Sequence, residues 1–259
     1  MQPESETPSV PWTGLDVLLF LALWLAPLLL SFTATYAVSL SRSQEQTAAV
    51  DTGEYKHPVI LLVEQGKNSP LIFLVACLSV VIVAPLVEEF LFRFLLQGWL
   101  ETKLSRLQVP RANGTAIIAV SCFFAAIHAG NHGVGDASSL AFGFIVSMVF
   151  SLVIFMSCVI YLVQKRNVKV IPSFLGTGRF FPPQFLAGVG YCSLTLVFIF
   201  GISAILRTMY PMTNVSPIPL FFFSLLLGTL YSRTRNLSYC ILLHAFLNGT
   251  SLTIAWFTV

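Results

Sequence analysis

Long apolar stretches alternate with short polar ones along the chain, on the length scale of a bilayer. Apolar runs occupy residues 14–40, 70–98, 112–130, 138–163, 184–207, 215–232 and 237–257. A helix needs roughly 20 mostly apolar residues to cross a bilayer, so each run reads as one span or nearly one. The pattern predicts an all-α fold, a polytopic transmembrane helical bundle of about seven spans, with eight as the alternative count. Residues 1–13 read as a cytoplasmic tail, and 14–69 as a first transmembrane helix with an extramembrane loop. That loop is polar, with a short strand or re-entrant turn expected around 59–63. Residues 70–259 form the core.

The run at 70–98 differs from the others, because it contains Pro85, Glu88, Glu89 and Arg93 and is longer than a perpendicular span. Proline removes a backbone hydrogen bond and bends a helix, so one long, kinked and tilted helix is expected. A span followed by a separate in-plane helix is the alternative.

Composition sharpens the class. Hydrophobic residues make up 56% and charged residues 10% of the 259, against roughly a quarter charged in soluble domains. The mean hydropathy is +0.83. These values exclude a soluble globular enzyme, a disordered regulator and a disulfide scaffold. A net charge of +3 from 14 scattered basic residues speaks against nucleic acid as a partner. The partners expected are the lipid bilayer and a membrane-associated protein or peptide. The five cysteines sit in apolar runs without a C-x-x-C pair, as buried small hydrophobes do.

Basic residues cluster after the second, fourth and sixth runs: Lys103, Arg106, Arg111, Lys165, Arg166, Lys169, Arg179, Arg233 and Arg235. This bias places the N-terminus in the cytoplasm and, with seven spans, the C-terminus outside. The N-terminal stretch lacks the basic region of a signal peptide, so the first span reads as retained.

Ionisable groups at membrane depth are costly, and are therefore functional candidates. Here they are Glu88, Glu89 and Arg93 in LVEEFLFRFLL, His128 in CFFAAIHAG, and His244 with the amide of Asn248 in CILLHAFLNGT. Adjacent glutamates point about 100° apart on a helix. Glu89 and Arg93 stand at i,i+4 with the acid first, the favourable order for an ion pair. That leaves Glu88 on another face, where a carboxylate suits a general base or a metal ligand. For Glu89 and Arg93 a structural role is at least as well supported as a chemical one. His128 follows Phe124 by one turn. His244 and Asn248 share one face, and can hold a metal, orient a water, stabilise an oxyanion or simply bond a neighbouring helix.

The pattern Glu-Glu-x-x-x-Arg, Phe-x-x-x-His and His-x-x-x-Asn, in that order on apolar helices, resembles the CPBP family. These are the CAAX prenyl protease and bacteriocin-processing (Abi) intramembrane metalloproteases. The resemblance covers about residues 80–250 and implies an intramembrane endopeptidase. It implies that Glu88 activates water, that His128 helps position it, and that His244 and Asn248 stabilise the oxyanion or contribute to a metal site. Glu89, Arg93 and Phe124 would support the site. If the enzyme uses zinc, Glu88, His128 and His244 make a plausible three-ligand set with an open fourth position. Phe94 stands where the family often has glycine, and a long insert with an extra basic loop at 164–183 separates the second and third motifs.

No His-Glu-x-x-His or Gly-x-Ser-Gly motif is present, which removes two other intramembrane protease types. The compact format points to a prokaryotic plasma membrane, where prenylated substrates are not expected. Two alternatives stand beside the protease: a non-catalytic scaffold or immunity protein that keeps the polar cluster for folding, and a transporter. The chain shows no repeats or paired broken helices, which counts against the transporter.

Overall fold

The computed structural model describes residues 10–23, 63, 67, 69–128, 137–166 and 217–258. Among them all regular structure is helical, and no strand is present. Helix α1 is Gly14–Leu23. Helix α2 is a continuous rod over 70–106, and α3 is Ala112–His128. Helix α4 is Ala137–Arg166, α5 is Pro217–Thr234 and α6 is Leu237–Thr258. Two helical stretches are long and apolar enough to cross a membrane, Phe73–Arg106 and Leu237–Phe257. Gly14–Leu23, Ala112–His128 and Ile218–Thr234 are apolar but shorter. A count of seven spans is therefore not established. Most of run 14–40, all of run 184–207, and nearly all of the polar segment with its expected strand or turn lie outside the described residues.

The long helix expected from run 70–98 is present and extends to Arg106, so no separate in-plane helix follows Pro85. At ~1.5 Å per residue it is roughly 50 Å long, well beyond a hydrocarbon core of about 30 Å. Two π-helical segments interrupt its α-geometry, Ser79–Val83 and Phe90–Gln97.

The first π segment is adapted to Pro85. The Ala84 N–H donates to Ser79 O, five residues back. In this pattern the next carbonyl, Val80 O, would take its proton from residue 85, and proline has none. Asn248 of α6 supplies the missing donor, with Nδ2 2.8 Å from Val80 O.

The described residues divide into two compact units. One gathers Met1–Leu18, Glu88–Gly130 and Val159–Leu243; the other gathers Leu19–Val87, Asn131–Cys158 and His244–Val259.

In the first unit a polar stripe runs down α2. Glu89, Arg93 and Gln97 are fully buried and Glu101 nearly so. A spacing of four drifts around an α-helix of 3.6 residues per turn. The wider turns of Phe90–Gln97 offset that drift and keep all four residues facing inward. Their partners lie on α5 and in the turn that follows it. Arg93 Nη2 donates to Ser224 Oγ (2.8 Å), Gln97 Nε2 donates to Gly228 O (3.0 Å), and Arg235 donates through both Nη atoms to the Glu101 carboxylate. Gly228 permits the approach of α5 to α3, since a Cβ there would lie 2.9 Å from Ile117 Cγ2 and 3.1 Å from Gln97 Oε1.

The N-terminal segment belongs to the same unit. Trp12 Nε1 donates to Leu95 O (3.1 Å), and its ring packs on Phe94. Thr13 N donates to Asp16 Oδ2 (2.7 Å) at the start of α1. Tyr161 and Arg166 of α4 each donate to Asp16 at 2.8 Å.

In the second unit the start of α2 lies against the end of α6. Phe73 packs on Trp256 with ring centres 4.4 Å apart, and Lys67 Nζ lies 5.9 Å above the Trp256 ring. Leu71, Leu74, Leu78 and Ile82 of α2 are exposed, as apolar side chains facing lipid would be.

Candidate active site

The first unit brings Glu88 and His128 together. Glu88 ends the first turn after the Pro85 region and His128 ends α3, and His128 Nε2 lies 3.8 Å from Glu88 Oε2. Both side chains retain some exposure, 21% for His128 and 14% for Glu88. At 3.8 Å the two atoms are an ion-pair distance apart, and too far for a direct hydrogen bond.

The histidine is oriented from its other nitrogen. His128 Nδ1 lies 2.8 Å from Phe124 O, one turn back on α3. A carbonyl can only accept, so Nδ1 carries the proton and Nε2 faces Glu88. The imidazole also stacks against the Phe124 ring, with centres 4.4 Å apart.

Phe124 joins this pair to the ion pair behind it. The Arg93 guanidinium lies 5.6 Å from the Phe124 ring centre, and Phe92 meets the same ring edge-on at 5.1 Å. Arg93 Nε bonds Glu89 Oε2 at 3.0 Å, with both side chains fully buried. The i,i+4 pairing expected from the spacing is thus formed, and Glu88 is on a different face of α2, towards α3.

His244 and Asn248 belong to the second unit. His244 is buried. Asn248, one turn after His244, donates its amide to Val80 O, the carbonyl that Pro85 leaves open, so it bonds a neighbouring helix.

Residues 70–176 and 177–250 match the model of the type II CAAX prenyl endopeptidase Rce1-like family. The chain belongs to this family. No curated protein and no solved structure matches it. Rce1-like proteins are membrane-integral proteases, hydrolases that act on membrane-associated substrates. The matched span takes in α2, α3, α4 and α5 and ends two residues after Asn248, whereas Trp12 and Asp16 precede it.

A catalytic zinc takes about three protein ligands. Among the described residues no group of three His, Cys, Asp or Glu side chains is placed to hold a metal ion. Glu88 and His128 belong to the first unit and His244 to the second.

Several residues of the site's support were not anticipated. Gln97 and Glu101 extend the Glu89–Arg93 spacing by two further steps of four, a signal present in the sequence. Ser224, Gly228 and Arg235, the partners of Arg93, Gln97 and Glu101, lie 131 to 134 residues away. Arg235 sits in the turn between α5 and α6. Burial pulls its pKa down, but the hydrogen bonds and charge of Glu101 outweigh this and hold it above the ordinary value.

Proposed function

We propose that this Rce1-like protein is an intramembrane endopeptidase of a prokaryotic plasma membrane. It hydrolyses a peptide bond in a membrane-associated protein or peptide, with Glu88 as the base that activates water and His128 as its partner. The observation that carries the reading is the facing pair itself. With Nδ1–H spent on Phe124 O, the imidazole turns Nε2 towards the Glu88 carboxylate. Two acceptors facing across 3.8 Å suit one water, which donates one hydrogen to each.

The chemistry follows from that arrangement. As the water oxygen attacks the scissile carbonyl carbon, its proton passes to the Glu88 carboxylate. The carbonyl π pair moves onto oxygen and gives the tetrahedral oxyanion. Collapse reforms the carbonyl and breaks the C–N bond, and the proton held by Glu88 passes to the leaving nitrogen. His128 aims the water and does not need to change its tautomer. We assign His244 the oxyanion-stabilising role that family membership implies. We assign Asn248 to positioning, because its amide is bonded to Val80 O.

The test is a comparison of protein termini in membranes from cells carrying wild type or Glu88→Ala at equal levels. A new terminus produced only by wild type is expected. The same terminus produced by Glu88→Ala would sink the mechanism. Metal analysis of purified wild type and His128→Ala tests the zinc version: zinc present in wild type and lost in the variant would support it, and no stoichiometric zinc in either would count against it.

A further inference from the structure

Within the first unit, four buried side-chain atoms have no hydrogen-bond partner among the described residues, Arg93 Nη1, Gln97 Oε1, Ser121 Oγ and Arg166 Nε, and the first three belong to fully buried side chains. Each of these three belongs to a side chain whose other bonds are settled or whose surroundings are apolar. Arg93 uses Nε on Glu89 and Nη2 on Ser224. Gln97 must direct Nε2 at Gly228 O, which fixes Oε1 as the open end.

The three atoms share one helix interface. Arg93 lies over Phe124, and Ser121 precedes Phe124 by three residues, on the same face of α3. Ile117 precedes Ser121 by four. Gln97 Oε1 and Ile117 Cγ2 both lie about 3 Å from the position a Cβ would take on Gly228. Ser121 therefore sits between the two levels at which α3 meets the polar stripe, Arg93 with Phe124 and Gln97 with Ile117.

A buried polar atom left unpaired is costly, and native interiors settle such atoms with ordered water, each molecule making about three hydrogen bonds. The three atoms match a water in number and in sense. Arg93 Nη1 donates to it, Gln97 Oε1 accepts from it, and the Ser121 hydroxyl serves either way.

We propose that Arg93, Gln97 and Ser121 form an internal water site between α2, α3 and α5. One step further along the stripe is Glu101 with Arg235, whose side chain is 43% exposed.

Ser121→Ala tests the site through the sign of its effect. If the hydroxyl bonds a water, the variant melts at a lower temperature than wild type, even though alanine is the better helix former. A high-resolution map of wild type then shows a water within 3.5 Å of all three atoms. If the hydroxyl is an unpaired group, its removal relieves a cost and the melting temperature rises. A rise, together with a map lacking water at the three atoms, overturns the proposal. Neither measurement uses activity, so a failure of the protease reading would leave this result unaffected.

Discussion

The two π segments of α2 solve opposite problems with the same geometry. Ser79–Val83 lies in an apolar stretch and answers a backbone defect, the N–H missing at Pro85, with one amide from α6. Phe90–Gln97 contains no proline and answers a side-chain problem, the alignment of Glu89, Arg93, Gln97 and Glu101 on one buried face. One needs a partner because a donor is lost. The other gathers partners because polar groups have been brought into apolar surroundings. A π turn therefore does not by itself mark chemistry; what it presents, and to which neighbour, decides.

The comparison is broken most severely at Arg93. Arg93→Met leaves the fully buried Glu89 carboxylate without its cation, and should cost about 3–5 kcal/mol in unfolding experiments. Replacing both residues with methionine should recover much of that loss, since a buried pair is often matched by apolar packing.

The first π segment offers a sharper test through coupling. Asn248→Ala should cost about 1–3 kcal/mol by orphaning Val80 O. In a Pro85→Ala background an N–H is restored at residue 85, and the same change should cost clearly less. A double-mutant cycle showing strict additivity would contradict the reading of Asn248 as a substitute donor.

Gly228→Ala probes the close contact beside the stripe. Its Cβ would meet Ile117 Cγ2 at 2.9 Å, and overpacking of this kind should destabilise by about 1–3 kcal/mol. The smallest effect is expected at Arg235→Ala. The arginine is 43% exposed, and an ion pair so open to solvent should contribute only about 1 kcal/mol, less at high salt.

Much of this was legible in the sequence, for reasons that also explain the gaps. The apolar runs carry the helical class because only helices or closed barrels satisfy a backbone in lipid. Glu89 with Arg93 and Phe124 with His128 were readable because each pair spans one turn of one helix. The apolar run at 70–98 stops short of the end of α2 because Glu101, Lys103 and Arg106 are charged, whereas Glu101 is turned inward to Arg235. Gln97 carried no charge to draw notice. Ser224 and Gly228 could not be inferred, since nothing local ties them to residues some 130 positions earlier. The donor role of Asn248 depends on a hydrogen-bond register, five residues back from Pro85, that hydropathy does not encode.

The adjacent acids give the most direct test of the account, because it assigns them different work on one helix. Glu88→Gln and Glu89→Gln should be purified side by side and compared for melting temperature and for cleavage of a substrate identified by terminus profiling. The account predicts that Glu88→Gln melts like wild type and does not cleave, whereas Glu89→Gln is destabilised by the loss of its bond to Arg93. Cleavage by Glu88→Gln at the wild-type rate, or a Glu89→Gln protein that is fully stable and inactive, would contradict it.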